Sequence, residues 1–296
     1  MKPGRFRYLR PSSVEEAVEI LAEYGDEAKV LAGGQSLIPM MNMRLARPAV
    51  LVDINRVAGL TYVTDRQDGV AFGASTRQRS LELDDSIPER LPLLPAVAEW
   101  MSHPQIRNRG TVVGSVVHAD PAAELPAAAL ALEATIRAVS RKGDRTISAL
   151  NFYLGYYATE LQPDELVTEV IFPRMTPDMG WAVYEVCRRR GDFALAGMIT
   201  LLRIDGSGCL SDVRMAAYGL GGSAFRLKDL EMDLVGQEMS EGLLDHAARR
   251  AAELATADDD IHATGEYRRA LAGETARRTL RSAAEMAAAQ SNERRQ

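Results

Sequence analysis

The sequence predicts an α+β protein in which an alternating strand–helix–strand beginning is followed by a second, separately organised α+β unit. Three observations carry this. Short apolar runs alternate with a helix-period stripe over the first sixty residues. A Pro/Gly-rich connection, PRMTPDMG (173–180), is followed by strand candidates gathered together and then by helices. With 296 residues, 46% of them hydrophobic and 26% charged, the chain holds enough apolar material for one or two buried cores.

Ser13 and Glu16 make a capping-box pattern ahead of Val14, Ala17, Val18, Leu21 and Ala22, whose spacing puts one apolar stripe on a helix closed at Tyr24-Gly25-Asp26. Lys29 to Ala32 is a short strand, a Leu/Met-rich helical piece covers 37–45, and a second strand runs from Val50 to Ile54, which makes residues 1–58 a β-α-β unit. A further unit, 59–175, starts with a strand at 69–74 and a Pro-opened helix at 91–101 ended by His103-Pro104. A polar loop at 105–111, a Val/Gly segment to Val117 and an Ala-rich helix at 121–134 come next. Strands at 135–140 and 166–172 flank a turn at Lys142-Gly143-Asp144 and an aromatic helix around 152–157. Beyond the connection, residues 176–290 are expected to form three strands (181–187, 198–204, 213–218) and a helical bundle from Ser240 onward. Its terminal helix, 265–289, carries an Arg-rich face read as solvated surface or subunit contact, and SNERRQ (291–296) should fray.

Several function classes drop out. A net charge of -6 without a basic stripe argues against nucleic acid as a partner. No stretch approaches the roughly 20 apolar residues of a membrane span, and the start, MKPGRFRYLRPSS, has no apolar signal region, so a cytoplasmic location is expected. Cys187 and Cys209 are the only cysteines and read as free thiols, while His103, His118, His246 and His262 are scattered. An iron–sulfur cluster or zinc site needs more ligands than these supply.

Chemistry concentrates in two loops. AGGQS (32–36) follows a strand and opens a helix, where glycines allow close backbone approach and free N–H groups cradle an anion, with phosphate or pyrophosphate as the natural guest. Asp53, at the end of the next strand, suggests a Rossmann ribose contact, but G-x-G-x-x-G is incomplete, and a plain structural turn is the third reading. RNRGTVVGS (107–115) continues as VVHADPAAE to Glu124 and offers Thr111, Ser115, Asp120 and Glu124 as hydrogen-bonding groups. Two such loops, both strand-adjacent, suit a clamp on one long phosphorylated ligand.

AGGQSL, HPQIRNRGTVVGSVVHADPAAELPA (103–127), RRRGDFALAG (188–197) and HATGEYRRALAGETARRTLRSA (262–283) resemble, in this order, the flavoprotein subunits of the xanthine dehydrogenase and carbon monoxide dehydrogenase group. The resemblance implies a two-part FAD domain of the vanillyl-alcohol-oxidase/PCMH-like kind followed by a small α+β domain. It implies that Ala32, Gly33, Gly34, Gln35 and Ser36, flanked by Leu31 and Leu37, hold the FAD pyrophosphate together with Gly110, Thr111, Gly114 and Ser115. Met101, His103, Asp120 and Glu124 would lie near the cofactor, and Leu166 or Val167 would touch it, with core packing an equal alternative for the last two. Arg188, Gly191, Asp192 and Phe193 would approach the isoalloxazine, Phe193 either covering a face or serving as a core aromatic. One position departs: Val113 stands where the family has a second glycine, so the backbone there should be extended or the loop set back from the phosphates.

By the same resemblance the substrate is oxidised by a large molybdenum-pterin subunit and electrons are relayed by a small subunit with two [2Fe–2S] clusters. This chain would pass them on to an external acceptor, in a heterotrimer that is itself doubled. The alternatives are a free-standing FAD oxidoreductase and a non-catalytic nucleotide-binding module. The substrate and the terminal acceptor are not written in the sequence.

Overall fold

The computed structural model describes residues 1–293, and for 291–293 the backbone alone. Strand β1 (Arg7–Leu9), helix α1 (Val14–Tyr24), strand β2 (Ala28–Leu31), helix α2 (Leu37–Asn42) and strand β3 (Val50–Asp53) form a parallel sheet of order β1-β3-β2. All four residues of β3 are buried, as in a parallel strand covered on both faces. Ser13 caps α1 by accepting the Glu16 N–H at 3.2 Å, but the Glu16 carboxylate returns to the N–H and hydroxyl of Ser12, so the expected box is closed one residue early. The helix ends at Gly25, whose φ of +50° a glycine adopts without strain. Helix α2 stops at Asn42, short of the expected Leu45.

The next stretch runs β4 (Val63–Arg66), β5 (Gly69–Gly73), α3 (Ser80–Leu83), α4 (Ser86–Arg90), α5 (Leu93–Trp100), α6 (Pro104–Arg107), α7 (Val112–His118) and α8 (Glu124–Ala131). It continues with β6 (Thr135–Ser140), β7 (Gly143–Ser148), β8 (Tyr153–Gly155), β9 (Ala158–Thr159) and β10 (Leu166–Phe172). Five of these strands make a sheet of order β4-β5-β10-β6-β7. Glu169, buried in central β10, is neutralised by a two-pronged Arg66 contact (2.9 and 2.8 Å). Helix α8 is buried along its whole length, which is why it is Ala-rich with no polar face.

Two expectations fail here. The Val/Gly segment is not a strand-side loop but helix α7, capped by Thr111, whose hydroxyl accepts the Gly114 N–H at 3.1 Å. Val113 is therefore helical and 3% exposed, with no left-handed φ required, so the extended alternative does not apply. The aromatic segment at 152–157 is no helix: it forms the β8–β9 hairpin, with Tyr157 at φ +52° beside its turn.

The C-terminal part consists of β11 (Gly180–Cys187), β12 (Ala194–Ile204), β13 (Leu210–Tyr218), β14 (Phe225–Arg226), α9 (Lys228–Leu234), α10 (Glu241–Leu254) and α11 (Gly265–Glu293). The antiparallel sheet, β11-β12-β13-β14, has a fourth short strand beyond the three expected. Residues along β12 and β13 alternate between two cores. Ile199, Leu201, Ala216 and Tyr218 join the core built by the preceding elements, whereas Met198, Leu202, Met215 and Ala217 pack with Leu230, Leu244, Ala276 and Leu280. The Arg-rich face of α11 turns toward α10, with Arg277 reaching Glu241 (2.8 Å) and Asp245, and Arg281 reaching Glu241 (2.8 Å). The expected fraying of 291–296 is not seen at 291–293, which continue α11; 294–296 lie outside the described residues.

Candidate functional site

The two glycine loops touch. A Cβ built on Gly33 would fall 2.6 Å from the Arg109 carbonyl oxygen, 2.7 Å from Gly110 Cα and 3.0 Å from the Thr111 nitrogen, so only glycine lets the first loop lie against the second. Gly34 has φ +70°, which turns the chain from β2 into α2. Gly114 faces the Thr111 hydroxyl, and an added Cβ would also come within 3.8 Å of Ala32 Cβ. Among the described residues, the N–H groups of Gly33, Gly34, Gln35 and Ser36, and those of Thr111 and Val113 at the start of α7, donate to no acceptor of the chain. Unsatisfied donors converging at two adjoining helix starts are suited to an anionic group with several acceptor oxygens.

Two residues that sequence reasoning missed hold this arrangement. Arg77 donates to the Arg109 carbonyl at 2.6 Å and to Asn55 Oδ1 at 2.7 Å, and Asn55 in turn donates to the Ala32 carbonyl at 2.7 Å. One guanidinium thus holds the second loop directly by its backbone and the first through Asn55. Arg77 forms no ion pair among the described residues, and burial lowers its pKa, with the neighbouring Arg109 charge adding to this. Its charge, offset in part by the nearby Asp53 carboxylate, adds positive potential beneath the loops where the free N–H groups converge. Neither residue belongs to a motif, so no signal in the sequence marked them. Asp53, the residue that suggested a Rossmann contact, accepts from Tyr8 and from the Asn55 N–H (2.9 Å) and side chain (2.6 Å). Burial would raise its pKa, but these hydrogen bonds outweigh burial and hold it below its ordinary value, so Asp53 fastens the loop's scaffold through Tyr8 and Asn55.

The third motif packs on the segment at Ser102 and His103 that leads toward the second loop. Gly191, φ +90°, packs on His103, whose Cε1 would lie 2.8 Å from an added Cβ. Arg190 stacks over Trp100 at 5.8 Å, and Arg188 lies 3.9 Å from Asp192. Phe193 is 67% exposed, which removes its core-aromatic alternative. Met101 is buried at the end of α5 and His103 is exposed at the start of α6. Buried Arg107, paired with Glu82 at 2.7 and 2.8 Å, bonds the Met101 carbonyl and the Ser102 carbonyl (2.6 Å) and so fixes this segment.

Asp120 accepts the Ala122 N–H (2.9 Å) and the Tyr157 hydroxyl (3.3 Å). Glu124 opens α8, 9% exposed, and burial followed by the charge of Glu185 pushes its pKa up to about 8. Leu31 and Leu37 border the first loop as last residue of β2 and first of α2, and Ser36 and Ser115 stand in the first turns of α2 and α7. Leu166 and Val167 lie opposite Val139 and Ala138 in the apolar core that also holds Val112 and Val113 of α7. Among the described residues there is no grouping of three metal-ligating side chains, both cysteines are free, and no helix is long and apolar enough to cross a membrane.

Comparison with known proteins places these features. Residues 4–175 match the FAD binding domain in molybdopterin dehydrogenase, and residues 181–283 match the CO dehydrogenase flavoprotein C-terminal domain. The chain is 39% identical over 280 residues to the 6-hydroxypseudooxynicotine dehydrogenase complex subunit alpha of Paenarthrobacter nicotinovorans, covering 95% of each. It is 36% identical to the carbon monoxide dehydrogenase medium chain of Hydrogenophaga pseudoflava, covering 96% of this chain and 98% of the relative. Among solved structures, carbon monoxide dehydrogenase from the same organism superposes with a TM-score of 0.94 at 36% identity, over 97% of this chain and 99% of that one.

Proposed function

The chain belongs to the family of FAD-binding medium subunits of the molybdenum hydroxylases, and on that premise we propose that it collects electrons from the [2Fe–2S] clusters of a small partner subunit and delivers them to an external acceptor. FAD is its cofactor and the complex is an oxidoreductase. Bound FAD supplies a centre that takes up electrons one at a time and releases them in pairs.

The contact between the two glycine loops carries this reading. Gly33 and Gly34 give the first loop its approach and turn, and Arg77 supports both loops from below. The N–H groups of 33–36 and of Thr111 and Val113 would hold the pyrophosphate, with Ser36 and Ser115 as additional donors. Asp120 and Glu124, which follow the second loop, would accept hydrogen bonds from a ribose or ribityl chain. Phe193 and Arg188, on the loop seated against His103, would border the isoalloxazine, with the guanidinium able to offset negative charge gained on reduction. This division fits FAD subdomains at 1–58 and 59–175 and a C-terminal domain at 176–290. A large molybdenum-pterin subunit would oxidise the substrate, in a doubled heterotrimer.

Purified alone with FAD, the chain should be bleached by dithionite but stay oxidised under anaerobic nicotine, 6-hydroxypseudooxynicotine or carbon monoxide. Adding the metal-carrying subunits should allow the complex's own substrate to bleach the flavin. Bleaching of the isolated chain by an organic substrate would overturn the relay and favour a self-contained oxidoreductase.

A further inference from the structure

The fourth motif, HATGEYRRALAG (262–273), has no part in the site described so far, and its residues set one guanidinium in place. Asp260, just ahead of it, folds the turn by accepting the His262 and Ala263 N–H groups on Oδ1 at 2.7 and 2.9 Å. Thr264 opens α11, its hydroxyl accepting the Tyr267 N–H at 3.2 Å. Gly265 lets the helix start against the Ala257 carbonyl, whose oxygen an added Cβ would overlap. One turn in, Arg268 is 8% exposed and donates to the carbonyls of Leu195 at 2.8 Å and Gly219 at 3.0 Å, with Asp260 Oδ2 at 2.7 Å balancing its charge. Leu195 is the second residue of β12, two positions after Phe193, and so forms the stem of the β11–β12 connection that carries Arg188 and Phe193. Gly219 follows β13 at φ +72°, and its N–H donates to the Pro121 carbonyl at 2.8 Å, next to Asp120 on the α7–α8 connection. A Cβ on Gly219 would lie 2.9 Å from the Ala194 carbonyl oxygen, so the two strand ends touch.

We propose that Arg268 is a positioning residue for the isoalloxazine end of FAD: it ties the β11–β12 connection, with Arg188 and Phe193, to the α7–α8 connection, with Asp120, and holds the two at the spacing at which they meet the flavin. The inference rests on the FAD placement proposed above. The tie runs from the Leu195 carbonyl through the guanidinium to the Gly219 carbonyl, and from the Gly219 N–H to Pro121. The β11–β12 connection's own ion pairs are weaker. Arg188, Arg190 and Phe193 are exposed, and the Arg188–Asp192 and Arg190–Glu99 pairs, at 3.9 and 3.5 Å, are long and solvated. A guanidinium on backbone carbonyls inside the fold is the firmer anchor, because charge-assisted bonds shielded from water outlast neutral or solvated ones. The pyrophosphate cradle is held by Arg77 and Asn55 instead, so separate cations fix the two ends of the cofactor.

The test compares two ligands on full-length apoprotein: FAD, and ADP, which carries the adenosine and pyrophosphate without the flavin. Calorimetric titration follows wild type, Arg268→Met, Arg268→Lys and Gly33→Ala, with near-UV circular dichroism as the check of folding. Methionine keeps the buried stem and loses both carbonyl bonds. Arg268→Met should raise Kd for FAD at least about tenfold, as expected for losing roughly one charged hydrogen bond at the ring end, and leave Kd for ADP within about twofold. Arg268→Lys, whose compact ammonium lacks the guanidinium's fork, should fall between wild type and Arg268→Met. Gly33→Ala should weaken FAD and ADP by the same factor. At saturating FAD the visible circular dichroism of the flavin should change in Arg268→Met, because the groups around the ring have loosened. A merely structural Arg268 would weaken both ligands equally or neither, and either result overturns the proposal. Should Arg268→Met not fold, amide hydrogen exchange of the wild type decides: FAD, and not ADP, should slow exchange at 188–195 and 218–222 together, and any other pattern overturns the coupling. Wild type that binds neither ligand would overturn the cofactor placement and this inference with it; equal factors for FAD and ADP in Arg268→Met overturn this inference alone.

Discussion

Gly33→Ala is the sharpest test of the loop-to-loop cradle. The new methyl would lie 2.6 Å from the Arg109 oxygen and 2.7 Å from Gly110 Cα, both backbone atoms, so ordinary contact requires the loops to part by roughly 0.8 Å. Neither loop yields freely. The second is held by Arg77 at 2.6 Å and by the Gln78–Gly110 and Val112–Thr76 backbone bonds, both 2.9 Å, and the first is held by Asn55 on Ala32. Overpacking of this kind costs about 1–3 kcal/mol of stability. Parting the cradle should also break or lengthen about two N–H contacts to charged phosphate oxygens, each worth about 1.5–3 kcal/mol, so Kd for FAD should rise by about 10²- to 10⁴-fold. The measurement is FAD titration of apoprotein, with near-UV circular dichroism to verify folding. Gly34→Ala is the companion: it meets only the side-chain atoms Leu31 Cδ1 (3.0 Å) and Ile38 Cγ1 (3.2 Å) and suffers mainly its φ of +70°, so its loss should be smaller. A Gly33→Ala protein with wild-type stability and a Kd within about threefold of wild type would refute the reasoning.

Arg77→Met should leave Asn55 Oδ1 and the Arg109 carbonyl unpaired and remove the clamp, raising Kd for FAD about 10- to 100-fold, checked by the same titration. Thr111→Val should cost about 1 kcal/mol in urea unfolding through loss of the α7 cap; an unchanged midpoint would count against the cap. Val113→Gly is expected to destabilise the apoprotein by about 2–4 kcal/mol in urea unfolding, because it empties a buried site and puts glycine inside a helix. The pH dependence follows from Glu185, whose folded pKa is raised to about 7 from an ordinary 4.5. A raised acid contributes stability that is complete below the unfolded pKa and is lost as pH climbs through the folded one, so Glu185→Gln should gain on wild type between about pH 4.5 and 7 by on the order of 3 kcal/mol. Equal differences in denaturation at pH 5 and pH 8 would contradict it.

The sequence by itself determined what depends on neighbours along the chain. The Gly33-Gly34 turn, the α1 cap at Ser13, strands β6 and β10 and the break at 173–180 each rest on a residue type placed within a few positions of its effect. The ordered set of four segments pointed to FAD for the same reason, since each is a local pattern. Short-range pattern misjudged the elements whose conformation is set by context. Val112-Val113-Gly114 has poor helix propensity, yet it is helical because Thr111 caps it and its valines enter the core. The 152–157 aromatics suit helix or hairpin, and β1, three residues with no buried side chain, has no periodicity and exists through its pairing with β3. Only the tertiary structure decided the site itself. Arg77 reaches Asn55 and Arg109 across 22 and 32 residues, Gly33 meets Gly110, Gly191 meets His103, and Tyr218 crosses Gly197 to Glu185. Such pairs leave no trace in spacing, because their geometry is settled by how α7 packs on β5 and β10 and α8 on β12 and β13, and a side chain's partner across a fold carries no signature in its own sequence neighbourhood.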